Sequence, residues 1–360
     1  MYKNILFFIM LIIDLSYVSA QPIAENKNRP LKVGAYYFDG WSGHNDKWAL
    51  TSRLKSEFSK REPIWGWHDN SFKIMETQIE YAADNGLSFF SFCWYYPEEH
   101  KKKTPLNNAL DLFLGAKNTN RMQFALMVAN HKGFIIGPKD WDIVSNRWIK
   151  LFRERNYLKV DGHPILIFFS GEELLKAFGG AKKTRLALQS LKSEALAAKI
   201  EVPLIGVCAT PGPENGWDDL LSFKNAGFDF LTGYNYHEYG VGKEKKQDFH
   251  QLEIVHEQIW NSFAEKDILP YIPVVTTGWD MRPWEKTEIP QSYYYQNRTP
   301  ENVATFVQNA INWTENHPKQ SLNDRLVILY AWNEIGEGGY LTPTKSEGDK
   351  ILKALNKVVK

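Results

Sequence analysis

The sequence lacks several features that would place a protein in a common functional class. It contains two cysteines in 360 residues, Cys93 and Cys208, and both lie in apolar runs. Buried free thiols are therefore favoured over a disulfide framework or a thiolate metal site. The formal net charge of +1 gives no field of the kind that steers nucleic acid. A Walker-type phosphate loop, a dinucleotide fingerprint and a Gly-x-Ser-x-Gly elbow are also missing. We therefore expect neutral partners and no nucleic acid.

The sequence also lacks an apolar run long enough to cross a membrane. Its first such run, Ile5–Ile13, falls well short of the roughly 20 residues that a bilayer requires, and Asp14 ends it. Lys3 before the run and the small residues "VSA" after it are typical of a secretory signal peptide. We expect cleavage after Ala20, a short tether over 21–30, and export to the periplasm or the medium without membrane insertion. The alternative is an uncleaved membrane anchor.

Apolar runs of strand length alternate with longer amphipathic segments over residues 31–360. This alternation is typical of βα units around a parallel sheet, and strands covered on both faces are apolar throughout, as these are. Because no linker of different composition interrupts the pattern, it predicts a single-domain (β/α)8 TIM barrel with long strand-to-helix loops. The predicted strands are 32–38, 87–96, 122–130, 164–170, 202–210, 228–236, 271–279 and 325–333. The predicted helices are 70–85, 105–118, 140–155, 182–199, 217–226, 247–265, 300–316 and 346–358.

Aromatic, amide, imidazole and charged side chains concentrate at the carboxyl ends of the predicted strands, where such barrels form their active sites. The chain has 13 Trp, 17 Tyr and 21 Phe, and flat rings with planar polar groups are what sugar rings and hydroxyls require. The sequence thus predicts an oligosaccharide or polysaccharide site, although the rings could instead simply cover the barrel. The predicted substrate-binding residues are Tyr36, Tyr37, Trp94, Tyr95, Asn130, His131, Tyr234, Tyr236, His237, Trp279, Asp280, Arg282 and Asn333.

The stretch "AWNEIGEG", residues 331–338, places Glu334 and Glu337 three positions apart after the last predicted strand. Glycosidic cleavage usually needs two carboxyl groups, so we predict that these two are the catalytic pair. The nearby glycines allow a ligand to approach the main chain closely. The alternative is a glycine-rich loop with solvated glutamates. The competing carboxylates at strand ends are Asp39, Asp280 and Glu238.

Strand-end histidines raise the alternative of a metal site. They are His44, His68, His131 and His237, and none of them forms a pair with tight ligand spacing. Contacts to sugar hydroxyls are favoured. We expect no metal, no cofactor and a monomer.

The motifs "GAYYF", "SFFSFCWYY", "YLKVDGHPILIFF", "GWDMRPW", "RTPENVATFVQNAI" and "LYAWNEIGEGGYLTP" resemble the glycoside hydrolase family 99-like group, which includes the glycosyltransferase WbsX-like proteins. The resemblance covers nearly all of the chain after the tether. It implies a barrel that acts on α-mannoside-type or related glycans. It also implies roles for the pair: Glu334 would deprotonate the substrate's 2-hydroxyl, which forms a 1,2-anhydro sugar, and Glu337 would protonate the departing oxygen. Ile335 and Gly336 stand where the hydrolases typically have Trp-His, which places the chain nearer to the WbsX-like branch.

The leading hypothesis is an exported retaining glycoside hydrolase, endo-α-mannosidase-like or mannanase-like. One alternative is a WbsX-like glycosyltransferase of polysaccharide synthesis, against which the signal peptide argues because activated nucleotide sugars are largely cytoplasmic. A second alternative is a non-catalytic glycan-binding barrel, which would not require Glu334 and Glu337.

Overall fold

The computed structural model describes residues 29–42, 49–97, 104–211, 219–286 and 292–360. The predicted signal peptide, its cleavage site at Ala20, most of the tether and His44 lie outside these residues. Within them, eight parallel strands form the barrel, in agreement with the predicted number. They are β1 Leu31–Tyr37, β2 Phe89–Trp94, β3 Gln123–Val128, β4 His163–Phe168, β5 Leu204–Cys208, β6 Phe230–Thr232, β7 Val274–Thr276 and β8 Arg325–Tyr330.

The strands follow one another around the barrel in chain order. The sheet runs β6-β5-β4-β3-β2-β1-β8-β7, and each neighbouring pair is parallel. The two ends of this order are joined by backbone hydrogen bonds: Ile272 N donates to Leu231 O at 2.9 Å, and Leu231 N donates to Pro270 O at 2.8 Å. This closure, with a helix after most strands, confirms the predicted TIM barrel.

The helices lie close to the predicted segments because capping residues fix their starts. Ser71 accepts from Ile74 N at 3.3 Å and begins the second helix, and Thr299 accepts from Asn302 N at 3.1 Å and begins the ninth. Two helices were not predicted, Ser52–Ser56 and Gly171–Phe178. The others are Phe72–Asp84, Asn108–Gly115, Trp141–Phe152, Ala181–Ala197, Leu220–Ala226, Phe249–Lys266, Pro300–Asn316 and Lys350–Leu355. No helix in the described ranges is long and apolar enough to span a membrane.

Several strands end earlier than their apolar runs predicted. β6 ends at Thr232 instead of residue 236, and β7 ends at Thr276 instead of residue 279. The remainder of each run continues as a loop above the carboxyl end of the barrel. These short strands therefore leave Tyr234, His237 and Trp279 on loops, where side chains can face a cleft.

Three short additional pairings support the loops. Lys159–Val160 pairs antiparallel with β4, and Lys246–Asp248 pairs parallel with Tyr294–Gln296. Asn333–Glu334 pairs antiparallel with Gly339–Tyr340, directly after β8. This last hairpin carries both predicted catalytic glutamates.

Candidate active site

The loop after β8 folds back on itself and presents Glu334 and Glu337 to the same space. Asn333 and Glu334 pair with Tyr340 and Gly339, and a single 3-10 turn, Ile335–Glu337, joins the two short strands. Gly338 has a φ of +79°, which a residue with a side chain adopts only at a cost. The spacing of the two glutamates is thus set by one turn and one glycine.

Glu334 is almost fully buried, with 5% of its surface exposed. The hydroxyl of Tyr234 donates to its Oε1 atom. Burial raises the pKa of Glu334 well above its usual range, and the nearby Glu337 charge raises it further, whereas the Tyr234 hydrogen bond lowers it. A carboxyl in this position holds a proton far more readily than one in water.

Glu337 has a matching tyrosine of its own. The hydroxyl of Tyr330, the last residue of β8, donates to Oε2 of Glu337. Burial also raises the pKa of Glu337, and the Tyr330 hydrogen bond again opposes the rise. Because two neighbouring buried carboxyls resist carrying two negative charges, the pair holds one proton between its members near neutral pH. One acid and one base side by side are what general acid–base chemistry requires.

Arg61 fastens this loop to the one that follows β7. Its guanidinium is 8% exposed, donates to the backbone oxygens of Asp280 and Ile335 at 3.0 Å each, and forms an ion pair with the Asp280 carboxylate. Arg282 donates to the same carboxylate at 2.7 and 2.8 Å. Asp280 N in turn donates to Glu337 O. The two loops therefore hold each other in place through buried charge-assisted bonds.

Two cavities meet at the glutamate pair. The first, of about 340 Å³, is lined by Glu334 and Glu337, and the second, of about 410 Å³, is lined by Glu337. Phe169 and Tyr234 also line both. Volumes of this size suit a small ligand or one unit of a larger one. Glu337 therefore stands at the junction of the two cavities.

The second cavity has an imidazole–indole stack in its wall. The rings of His237 and Trp279 are parallel within 2°, with centroids 3.4 Å apart. Burial lowers the pKa of His237 to about 3, so its ring is neutral. Burial raises the pKa of Tyr293, so this hydroxyl stays protonated and donates to Nδ1 of His237 at 2.6 Å. The proton of the neutral ring is then on Nε2, which gives the cavity a fixed donor.

Comparisons with known proteins place this chain in a family. The family model described as Glycosyltransferase WbsX matches residues 66–355. The chain belongs to the WbsX glycosyltransferase family. No curated protein sequence matches it.

Solved structures similar to this WbsX-family chain share its fold. A glycoside hydrolase-like protein is 15% identical with a TM-score of 0.64, and the alignment covers 95% of this chain and 98% of that one. The family 99 endo-α-mannosidase of Bacteroides thetaiotaomicron is 13% identical with a TM-score of 0.60, over 91% of this chain and 95% of that one. At such identities the likeness concerns the barrel alone.

The structure brings together only part of the predicted site. Besides the two glutamates, the residues that line the described cavities are Tyr95, His131, Tyr234, Tyr236, His237 and Trp279. The other predicted binding residues lie outside these walls: Tyr36, Tyr37, Trp94, Asn130, Asp280, Arg282 and Asn333. This placement corrects the prediction that these seven face the substrate.

The displaced residues have protein partners instead. The hydroxyl of Tyr36 donates to Gly233 O at 2.7 Å, and that of Tyr37 donates to Gln78 at 3.1 Å. Asn130 donates to Ser170 O at 2.6 Å, and Asn333 donates to Phe38 O at 2.7 Å. Trp94 packs edge-on against Trp148, and Asp280 and Arg282 bond to each other. The physical reason is position, since side chains within a strand, or engaged in fastening a loop, are used by the fold itself.

Sequence reasoning missed several wall residues of the WbsX-family site. Phe169 follows β4 directly, and its apolar run gave no signal that the strand would end before it. Trp284 lines the first cavity and packs so closely on Gly336 that a Cβ there would collide with its ring. Its position in "GWDMRPW" was a usable signal. Glycine at 336 is therefore required by the Trp284 ring above it.

The histidines considered as metal ligands do not converge. Among residues 29–42, 49–97, 104–211, 219–286 and 292–360, no group of three or more His, Cys, Asp or Glu side chains is placed to hold a metal ion. His131 instead packs against Tyr95 and Phe134 in the wall of the first cavity.

Proposed function

We propose that this chain is an exported, retaining glycoside hydrolase that cleaves glycans of mannose-type configuration. The observation that carries the proposal is the buried Glu334–Glu337 pair at the junction of two cavities. Each carboxyl accepts a tyrosine hydroxyl, and burial raises both pKa values. A pair that shares one proton within a ring-lined cleft supplies the acid and the base that glycosidic cleavage needs.

The position of each glutamate supports its role. Glu337 lines both cavities, so a glycosidic oxygen that bridges two sugars placed one in each cavity would lie beside it. Glu337 is therefore the acid for the leaving oxygen. Glu334 lies in the first cavity, which then holds the sugar whose bond is cleaved, and it is the base for the 2-hydroxyl of that sugar.

Substrate binding would place the shared proton correctly. A sugar 2-hydroxyl that donates to Glu334 stabilises its ionised form, as the Tyr234 hydroxyl already does. The proton of the pair then resides on Glu337, next to the oxygen that must receive it. Because the two carboxyls are coupled, the pH profile reports the pair and not either residue alone.

The reaction has two steps. In the first, Glu334 takes the proton of the 2-hydroxyl, O2 attacks C1, the C1–oxygen glycosidic bond breaks, and Glu337 protonates the departing oxygen. In the second, Glu337 takes a proton from water, the water oxygen attacks C1, the C1–O2 bond of the 1,2-anhydro sugar breaks, and Glu334 returns a proton to O2. Two inversions at C1 give net retention. The attacking hydroxyl is already part of the substrate, which confers a high effective molarity.

The environments of the competing carboxylates favour the pair. Asp280 is held by Arg61 and Arg282, so its ionised form is strongly stabilised and it is a poor acid. Asp39 accepts from Ala109 N at 2.6 Å, at the start of a helix. Glu238 lines the second cavity but is exposed. The combination of burial, coupling and position at the junction belongs to Glu334 and Glu337.

The test is hydrolysis of a glycan panel weighted to α-mannans and to bacterial and plant polysaccharides. The wild type is compared with Glu334→Gln and Glu337→Gln, and Glu238→Gln is the matched control in the same cleft. We expect product from the wild type and the control, and a loss of at least about a hundredfold in each pair variant. Binding without turnover in every protein would leave a carbohydrate-binding barrel, and loss in Glu238→Gln alone would move the chemistry to that residue.

A glycosyltransferase is the second candidate, and the family description favours it. The two readings separate in one assay, in which the wild type is incubated with nucleotide sugars and acceptor glycans. Transfer that depends on a nucleotide sugar, with no hydrolysis across the panel, would replace the hydrolase proposal.

A further inference from the structure

The wall of the first cavity is largely hydrocarbon. Its lining includes Phe38, Leu106, Met127, Ala129, Phe134, Phe169 and the Trp284 ring. The second cavity differs, since Ser170, Glu172, Thr210, Asn235 and Glu238 contribute polar groups to its lining. The cleft is therefore divided into an apolar half, which holds Glu334, and a polar half, with Glu337 between them. Resting on the proposed function, this division bears on the sugar whose bond is cleaved.

The polar groups in the described wall of the apolar half can be assigned one by one. Glu334 serves the 2-hydroxyl and Glu337 the leaving oxygen, as proposed above. The Tyr234 hydroxyl is committed to Glu334. His131 directs Nδ1 at the Lys132 carbonyl, 3.2 Å away, which leaves Nε2 for a ligand. Burial raises the pKa of Tyr95, so its hydroxyl remains a donor. Tyr95 and His131 thus supply two further contacts, enough for the 3- and 4-hydroxyls.

A hexose of mannose configuration has one hydroxyl more than this wall serves, the one on C6. Burying a hydroxyl against hydrocarbon without a partner is unfavourable, whereas burying a methyl group there is favourable. The 2-hydroxyl must also lie trans to the leaving group for O2 to attack C1 from the opposite side. We infer that the apolar half of the cleft binds a 6-deoxyhexose of manno configuration, with its C6 methyl against the apolar wall.

The experiment compares substrates that differ by one oxygen. Each pair is a 4-methylumbelliferyl 6-deoxy-α-mannopyranoside and the corresponding α-mannopyranoside, in both the D and the L series. We measure kcat/KM with the wild type, and Kd for the matching methyl glycosides with Glu337→Gln, which binds without turnover. In one series the 6-deoxy sugar should be preferred by about tenfold or more in both quantities.

Tyr95→Phe provides the internal control. If its hydroxyl serves a position common to both sugars, the variant lowers kcat/KM for both members of a pair by a similar factor and leaves their ratio unchanged. A loss confined to the mannoside would mean that Tyr95 serves the 6-hydroxyl, which would overturn the inference.

The remaining outcomes separate this inference from the proposed function. Hydrolysis of the mannoside as fast as, or faster than, its 6-deoxy counterpart overturns the inference and leaves the hydrolase standing. If no sugar of either series is hydrolysed or bound, the inference fails, and the glycan panel with the pair variants then decides on the hydrolase independently.

Discussion

Replacing Tyr234 by phenylalanine removes the hydroxyl that donates to Glu334 and leaves the ring in place. Because this bond favours the ionised form of Glu334, its loss raises the pKa of the base. A hydrogen bond to a charged group contributes about 1.5–3 kcal/mol, and Glu334 is buried, so solvent does not replace the bond. The acidic limb of kcat/KM should therefore move to higher pH, and activity at a pH on that limb should fall roughly tenfold to a hundredfold.

Tyr330→Phe is the matched counterpart, since it removes the donor to Glu337. It raises the pKa of the acid, so the alkaline limb should move to higher pH while the acidic limb stays in place. The assay is the pH dependence of kcat/KM for wild type and both variants on one panel substrate, with unfolding curves as the check on folding. Limbs that move in the opposite assignment, or profiles that do not change, would refute the roles given to the two glutamates.

Three further predictions concern stability and packing. The folded-state pKa of Glu334 lies above its unfolded value, so its contribution to stability is complete at low pH and is lost as pH rises; Glu334→Gln, which does not titrate, should gain stability over the wild type between about pH 5 and pH 8 in thermal unfolding. Arg61→Met leaves the Asp280 carboxylate with one guanidinium and should cost about 3 kcal/mol in urea unfolding, while a cost below about 1 kcal/mol would contradict the fastening role. Gly336→Ala should displace the Trp284 ring, cost about 1–3 kcal/mol and change tryptophan fluorescence, with unchanged fluorescence as the contrary result.

The sequence predicted the barrel well because its strands are apolar on both faces and its helices carry capping residues. The run from Arg325 to Tyr330 is an uninterrupted apolar strand after its first residue, and Thr299 with Pro300 marks a helix start without ambiguity. Strand ends were less predictable. The run from Phe228 to Tyr236 stays apolar and aromatic where the chain has already left the sheet at Thr232.

The same ambiguity explains the errors at the site. Tyr36 and Tyr234 look alike as aromatic residues at the end of an apolar run, yet Tyr36 lies inside β1 and Tyr234 lies two residues beyond β6. Local composition does not distinguish these two cases, because register and loop direction are set by tertiary contacts. Glu334 and Glu337 were found because carboxylates after an apolar strand, beside glycines, are a sharper signal than a ring is. Their partner Tyr330 could not be found, since nothing within an apolar strand marks the residue that will face the cleft.

The most direct test of the central claim is the stereochemistry of the first product. Hydrolysis of the best panel substrate is followed by proton NMR from the first turnovers, before the free sugar equilibrates its anomers, with Glu334→Gln and Glu337→Gln as the inactive references. The account predicts that the initial product keeps the anomeric configuration of the substrate and that neither variant forms it. An initial product of inverted configuration, or the same product formed at wild-type rate by either variant, would contradict it.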